Sequence, residues 1–218
     1  MSRQALLDKL VAVVTGAATV AIIAPLVSII YEVASRGISV IAHVGLIDFL
    51  TQPPPPPGAG LGGIGPAFTG SLLLTLLSSA ISIPVALGLA LLAVEYPHTW
   101  IARAVRGLVK ALLEIPTIVI SMIVYSLLVI PMGGPSILAG AVALAIVMLP
   151  YTTSYVETYL ENVPWIYREA GYAIGMKKAQ VAVRIAMGIA RRGVAVGIVM
   201  GSPEHSARQH RYSSPLVL

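Results

Sequence analysis

Long apolar runs separated by short polar segments organise this sequence. Residues 10–31 contain no charged side chain and are long enough to cross the roughly 30 Å hydrocarbon core of a bilayer as a helix. A second run, residues 67–94, stops at Glu95 and has Pro84 inside it, which predicts a kinked helix. The pattern therefore predicts two membrane-spanning helices in the first half of the chain.

The second half begins with a longer apolar run. Residues 115–156 contain no charged side chain over 42 positions, about twice a spanning length. The run is interrupted by Pro131, Gly133, Gly134 and Pro135. This predicts a helical hairpin with spans at about 112–131 and 137–156. A fifth run, residues 193–200, is too short to span. The expected fold is therefore an all-α polytopic membrane protein with four full transmembrane helices plus a truncated fifth.

The segment between the first two spans has a different composition. Residues 53–57 are five consecutive prolines, and a glycine-rich stretch follows up to Gly65. This composition predicts a stiff polyproline II stretch that runs into a flexible glycine hinge outside the hydrocarbon. We expect residues 1–66 to hold the first span and this external loop, 67–200 to form the main transmembrane domain, and 201–218 to be a polar, disordered tail.

Composition narrows the possible functions. Hydrophobic residues make up 57% and charged residues 11% of the chain, with mean hydropathy +0.88, whereas a soluble domain carries about 25% charged residues. A soluble globular protein is therefore excluded. The chain has no cysteine, and its four histidines are scattered among loops without ligand spacing. This pattern predicts no metal site. There is also no Walker A motif, so no intrinsic ATPase is predicted, and the chain offers no candidate catalytic residue.

The lysines and arginines alternate between loops. Eleven lie in residues 1–9, 95–110 and 157–192, whereas the loops 32–66 and 132–136 hold only Arg36. The positive-inside rule places the N-terminus and the two basic loops in the cytoplasm. Topology therefore explains the net charge of +5, and no nucleic-acid partner is expected. The alternative for the first span is a cleaved signal peptide, although the apolar run is longer than a typical h-region.

Three polar residues are candidates for a substrate path. Glu114 lies beside a span start, and Thr69 and Ser71 begin the polar content of the second span. An ionisable residue at membrane depth is a functional candidate by default. The alternative is that Glu114 reaches the interface and that the two hydroxyls only bond neighbouring helices.

The longest basic loop, residues 157–192, has the composition of folded structure. Pro164 suits the first turn of a helix, and Gly175 suits a left-handed cap. Helical composition resumes at Lys177, so the loop is expected to contain two short helices that meet at a glycine.

The first of these helices carries small residues beside an acid. Ala170 and Gly171 leave a shallow face that another protein can approach closely, and Glu169 offers an acceptor for a basic partner. On composition alone the alternative is an amphipathic helix pair lying on lipid.

The same loop carries a family resemblance. Glu169, Ala170 and Gly171, followed by Gly175 and Ile185, resemble the EAA loop of ABC importer permeases, which docks into a partner ATPase. Within that superfamily the chain resembles the PstA-type phosphate permeases from about residue 5 to residue 200. The stretches that carry the resemblance include residues 49–51, 62–66, 70–72, 84–96, 115–120, 138–140, 149–150, 163–164 and 168–170.

This resemblance implies a function and a set of partners. The chain would be a permease subunit of an ATP-driven phosphate importer, with ATP used by a partner subunit and no cofactor of its own. The implied partners are a PstC-like second permease subunit, a PstB-like ATP-binding subunit, an extracytoplasmic phosphate-binding protein and membrane lipid. The implied location is the cell membrane, with multiple passes. A permease for another small solute is the alternative.

The resemblance also bears on the end of the chain. Members of that group continue through a fifth and a sixth span, whereas this sequence turns polar at Gly201. We therefore expect the last two spans to be missing and the chain, as written, not to transport phosphate. The alternatives to a permease subunit are a truncated, non-transporting membrane scaffold or defective product, and an intramembrane enzyme. The enzyme would need paired acids, a serine with a base, or metal ligands at membrane depth.

Overall fold

The computed structural model describes residues 3–56, 58 and 60–201. In that part of the chain every regular element is a helix, so the all-α prediction is confirmed. The helices are α1 (Arg3–Val44), α2 (Leu46–Thr51), α3 (Gly65–Glu95), α4 (Trp100–Glu114), α5 (Thr117–Val124), α6 (Ile137–Glu161), α7 (Trp165–Ala173), α8 (Lys178–Gln180) and α9 (Met187–Met200). Two π-helical segments, Tyr125–Val129 and Val181–Ala186, follow α5 and α8. The polar tail after Gly201 lies outside the described residues.

The chain divides into two compact units, Met1–Thr69 and Gly70–Leu218. In the first unit, α1 is one helix of 42 residues that contains the predicted span and continues to Val44. The helix does not end at the first charges, because Glu32 and Arg36 lie one turn apart and form an exposed ion pair of 2.5 Å. Charges there end the apolar run without ending the helix.

The glycine run of the first unit is packed against α2. The N–H of Ile64 donates to the carbonyl of Phe49 at 2.8 Å, and the N–H of Gly65 donates to that of Gln52 at 2.9 Å. A Cβ on Gly63 would lie 2.7 Å from the oxygen of Phe49, so only glycine fits. The expectation of a flexible hinge is therefore wrong for this part of the run, which caps the free carbonyls at the end of α2.

Among the described residues, three helices are long and apolar enough to cross a membrane: Lys9–Val44, Gly65–Glu95 and Ile137–Glu161. α5 and the π-helical segment after it together form the helix Thr117–Val129. A fourth span exists if α4 and this helix are counted as one, although the two are bent by 101° relative to each other. The prediction of one unbroken helix over 112–131 is therefore wrong, because this bend divides the segment. Its helix breaks at Ile115, which is extended (φ −77, ψ 124), because a residue before proline disfavours the helical conformation.

The predicted hairpin after this break is present. The π-helical segment Tyr125–Val129 leads into a turn in which Gly133 has φ 76. The hydroxyl of Ser136 then caps α6 by accepting a hydrogen bond from the N–H of Ala139 at 3.1 Å.

The fifth apolar run is the end of a longer helix. α8, the π-helical segment Val181–Ala186 and α9 follow one another with helical backbone at each junction. This extends the predicted second short helix up to Met200. The core of the second unit lies between α3, α6 and this composite helix. Its buried members are Ala90, Val156, Leu160, Val163, Ala186, Ala190 and Val194.

Candidate functional site

The loop 157–192 folds into two helices joined by a tight turn. Pro164 is the N-cap of α7 and Ile174 its C-cap, and Gly175 follows with a φ of 80, the left-handed conformation predicted for it. The N–H of Met176 donates to the carbonyl of Gly171 at 3.1 Å, and the side chain of Gln180 accepts from the N–H of Lys177 at 2.9 Å. One backbone hydrogen bond and one backbone-to-side-chain hydrogen bond therefore set the angle at which the chain reverses after α7.

Gly171 lies at the contact between the two helices. A Cβ there would be 2.5 Å from Cδ1 of Ile185 and 2.9 Å from Cγ2 of Val181. Gly171 and Val181 are both buried. The structure thus places the predicted residues Gly171 and Ile185 in contact with each other. Gly171 is buried in this contact and does not lie on the exposed surface where it was expected. The missing side chain lets α7 pack closely on the following helix.

The outer side of α7 forms an exposed face. Trp165, Ile166, Glu169 and Ala170 are exposed and occur at helical spacing, so they share one side of the helix. We call these four residues the docking face, after the ATPase docking that the family resemblance implies for Glu169 and Ala170. Trp165 and Ile166 expose 58% and 66% of their surface, and Glu169 has no ion pair among the residues that the structure describes. Exposed aromatic side chains are enriched at protein interfaces.

Arg168 anchors this helix to the transmembrane part. Its Nε donates to Oε1 of Glu95 at 3.1 Å, its Nη1 to the carbonyl of Val163 at 2.9 Å, and its Nη2 to that of Leu160 at 3.1 Å. The side chains of Arg168 and Glu95 are only 4% and 3% exposed. The guanidinium also lies 5.7 Å from the ring centre of Trp165. One buried side chain therefore joins α7 to the ends of α3 and α6.

Sequence reasoning missed this anchor. The charge pattern assigned Arg168 to the count of cytoplasmic basic residues and Glu95 to the end of a span. The signal in the sequence was an acid at the last residue of one span and an arginine in a later loop on the same predicted side of the membrane. Several such acid–arginine combinations are possible, and the sequence does not show which residues meet.

A second ion pair fixes α4. Nε of Arg106 lies 2.5 Å from Oε1 of Glu157, and its Nη2 lies 2.8 Å from Oε1 of Glu161. Two acids one turn apart on α6 share one guanidinium, whose planar fork suits two carboxylates. This bridge holds α4 against the end of α6.

The three candidates for a substrate path are not joined by hydrogen bonds. The hydroxyl of Thr69 donates to the carbonyl of Gly65 at 2.9 Å within α3. Ser71 is exposed on the same helix, and Glu114 is exposed at the end of α4, directly before the bend. Two other hydroxyls, those of Ser82 and Thr152, are buried without a hydrogen-bond partner in the described part of the chain. There, no cluster of acids and histidines suited to a metal ion occurs.

Comparison with known proteins identifies relatives. The chain is 40% identical over 194 residues to the probable phosphate transport system permease protein PstA of Methanocaldococcus jannaschii, covering 89% of this chain and 67% of the relative. It is 32% identical over 176 residues to the phosphate transport system permease protein PstA of Yersinia pestis, covering 80% and 58%. It is 34% identical over 140 residues to the phosphate transport system permease protein PstA 1 of Mycobacterium tuberculosis, covering 64% of this chain and 46% of the relative. The chain spans about half to two thirds of the length of these curated relatives.

A family match covers the loop 157–192 as well. Residues 82–204 match the family described as binding-protein-dependent transport system inner membrane component. This range includes the anchor residue Glu95, the docking face and the composite helix that ends in α9. The apolar helices and these relatives show a multi-pass membrane protein that fits the PstA-type permeases. The chain belongs to the family of binding-protein-dependent transport system inner membrane components.

Proposed function

We propose that the chain is a membrane-spanning permease subunit of an ATP-driven phosphate importer. The names of its relatives supply the solute. The observation that carries the coupling role is the anchored docking face, because an exposed surface on α7 is joined by a buried arginine to helices that are long enough to span a membrane. A partner ATPase that binds this face would therefore act directly on α3 and α6.

The coupling would be mechanical. When the partner closes on ATP, it pushes the docking face, and Arg168 passes the displacement to Glu95 and to the carbonyls of Leu160 and Val163. Charge-assisted hydrogen bonds in a buried setting deform little, so α7 and the two helix ends move as one body. Rocking of these helices would expose a solute path alternately to each side of the membrane.

The remaining components belong to the same proposal. ATP would be bound and hydrolysed by the partner, so this chain needs no cofactor. A second, PstC-like permease subunit would complete the path, a PstB-like subunit would supply the ATPase, and an extracytoplasmic binding protein would deliver phosphate. The N-terminus and the loop 157–192 would lie in the cytoplasm, as the lysine and arginine distribution predicts.

Docking is tested by charge reversal on the docking face. We expect Glu169→Arg to reduce recovery of the ATPase with the affinity-tagged chain by about tenfold or more, since a hydrogen bond to a charged group contributes about 1.5–3 kcal/mol. Asp48→Asn, which alters another exposed acid on α2, is the control and should leave recovery unchanged. Equal recovery of the ATPase with both variants would contradict docking at this face.

Transport is tested separately, because the chain spans only part of its relatives' length. Cells without their own phosphate permease would receive this chain together with the second permease subunit, the ATPase and the binding protein from the same source. This proposal expects labelled phosphate uptake above the control without the chain, resistant to excess sulfate, whereas the sequence-based expectation of a chain that does not transport phosphate predicts uptake at the control level. Uptake at the control level would overturn the transport part of the proposal and leave the docking part standing.

A further inference from the structure

α4 has three distinct sides. Ala102 and Val109 are buried and face the protein. Trp100, Ile101 and Leu108 lie on another side and expose 73%, 43% and 65% of their surface. An apolar side of this size on a 15-residue helix that is already packed on α6 needs a second apolar environment.

The third side of α4 is basic. Arg103 and Lys110 lie seven residues apart, hence on the same side of the helix, and both are exposed. In the described ranges neither forms an ion pair, and this includes Lys110 with the exposed Glu114 one turn away. Arg106 differs, because Glu157 and Glu161 neutralise it. Two cations therefore border the exposed apolar side, and neither is paired with an acid of the described residues.

The bend after α4 gives the helix its direction. α4 lies at 101° to the helix Thr117–Val129, which is apolar and follows after two residues. If the second helix, about 20 Å long at 1.5 Å per residue, enters the bilayer beside α6, against which α5 packs, α4 runs along the membrane surface for about 22 Å. In that position the apolar side faces the acyl chains, the basic side is level with the headgroups, and the exposed Trp100 lies at the depth that tryptophan prefers.

We propose that α4 is an interfacial helix that binds anionic phospholipid headgroups through Arg103 and Lys110. The occupant is a lipid because this surface offers an acyl-facing apolar side and a phosphate-facing basic side together, and a phospholipid matches both. Long basic side chains beside an apolar surface keep their stems in the apolar layer and their charges at the phosphates. This lipid contact is separate from the docking face on α7.

Tryptophan quenching by brominated lipid tests the proposal. The chain has two tryptophans, so Trp165→Phe leaves Trp100 as the single reporter in the whole protein. The protein is placed in phosphatidylcholine bilayers that contain a small fraction of either brominated phosphatidylglycerol or brominated phosphatidylcholine. A cation near anionic lipid is worth ~1 kcal/mol, so we expect local enrichment, and hence stronger quenching by the brominated anionic lipid, equivalent to about fivefold per cation.

Matched variants separate the site from general charge. Arg103→Gln/Lys110→Gln should remove the excess quenching, Arg103→Lys/Lys110→Arg should keep it, and the control Arg191→Gln/Arg192→Gln, which removes two other exposed cations, should also keep it. Added inorganic phosphate should not reduce it. Absence of quenching by either lipid would show that α4 does not lie in the bilayer. An equal loss in the control variant would show a non-specific charge effect, and either result overturns the proposal.

Discussion

At the scale of single residues, the ion pair between Arg168 and Glu95 defines how the loop joins the transmembrane helices. Removing two charges from water costs about as much as their attraction returns, so such a pair adds little net stability. Its value lies in geometry, because the guanidinium also takes the carbonyls of Leu160 and Val163 and so holds three chain segments at one point. Replacing only one of the two residues should therefore lower the free energy of unfolding more than replacing both.

Arg168→Ala leaves the carboxylate of Glu95 buried without its partner. We expect the free energy of unfolding in detergent to fall by about 3–5 kcal/mol, and the double variant Arg168→Met/Glu95→Met to recover most of this loss. The control is Arg36→Ala, whose ion pair with Glu32 is exposed and worth about 0–1 kcal/mol. Similar losses in Arg168→Ala and Arg36→Ala would show that burial of the first pair has no energetic consequence.

At the scale of elements, small residues decide how closely helices approach. Gly193, Gly197 and Gly201 recur every four residues at the end of the composite helix and face α6. A Cβ on Gly197 would lie 3.1 Å from Cβ of Tyr155. This is the small-xxx-small pattern of close helix packing in membranes, and the spacing is visible in the sequence. The contact explains why a helix with a short apolar end is nevertheless packed along its length.

A large side chain at one of these three glycines should separate α9 from α6. Gly197→Leu is expected to reduce the free energy of unfolding by about 1–3 kcal/mol through overpacking, measured by thermal unfolding in detergent. Gly188→Leu is the control on the same helix, because a Cβ there has nothing within 4 Å and a leucine also favours helix. If both variants lose the same stability, the close approach at Gly197 is not what holds α9 to α6.

At the scale of the whole molecule, ion pairing sharpens the charge asymmetry. Arg36, the one basic residue in the loops predicted to be outside, is paired with Glu32. In the predicted cytoplasmic loops, the described residues without an ion pair still include Arg103, Lys110, Lys177, Lys178, Arg184, Arg191 and Arg192. All seven of these cations lie in loops that the lysine and arginine distribution predicts to be cytoplasmic, and this orientation stays a prediction.

Cysteine labelling measures that orientation directly, because the native chain contains no cysteine. Gly60→Cys and His98→Cys replace exposed residues in the loops before and after α3. An impermeant maleimide should label Gly60→Cys in intact cells and should label His98→Cys only after the membrane is opened. The reverse pattern would invert the topology, and labelling of both in intact cells would show that α3 does not separate the two compartments.

Much of the element pattern and part of the loop could be predicted. The apolar runs predicted membrane helices, and the isolated Gly175 predicted the turn that the structure contains, because both signals are local. The break at Pro116 was also local, yet the uncharged run 115–156 concealed it. Hydropathy measures the solvent that a segment prefers and does not report where its helix bends.

The sequence by itself determined the all-α class, the apolar helices and the family resemblance, since each depends on side chains within one segment or on a recognisable order of residues. Only the tertiary structure decided that Arg168 meets Glu95, that Gly171 faces Ile185, and that Arg106 lies between two acids of α6. These contacts join residues far apart in the chain. They depend on the angles between helices, which are set by the packing of side chains from several elements at once.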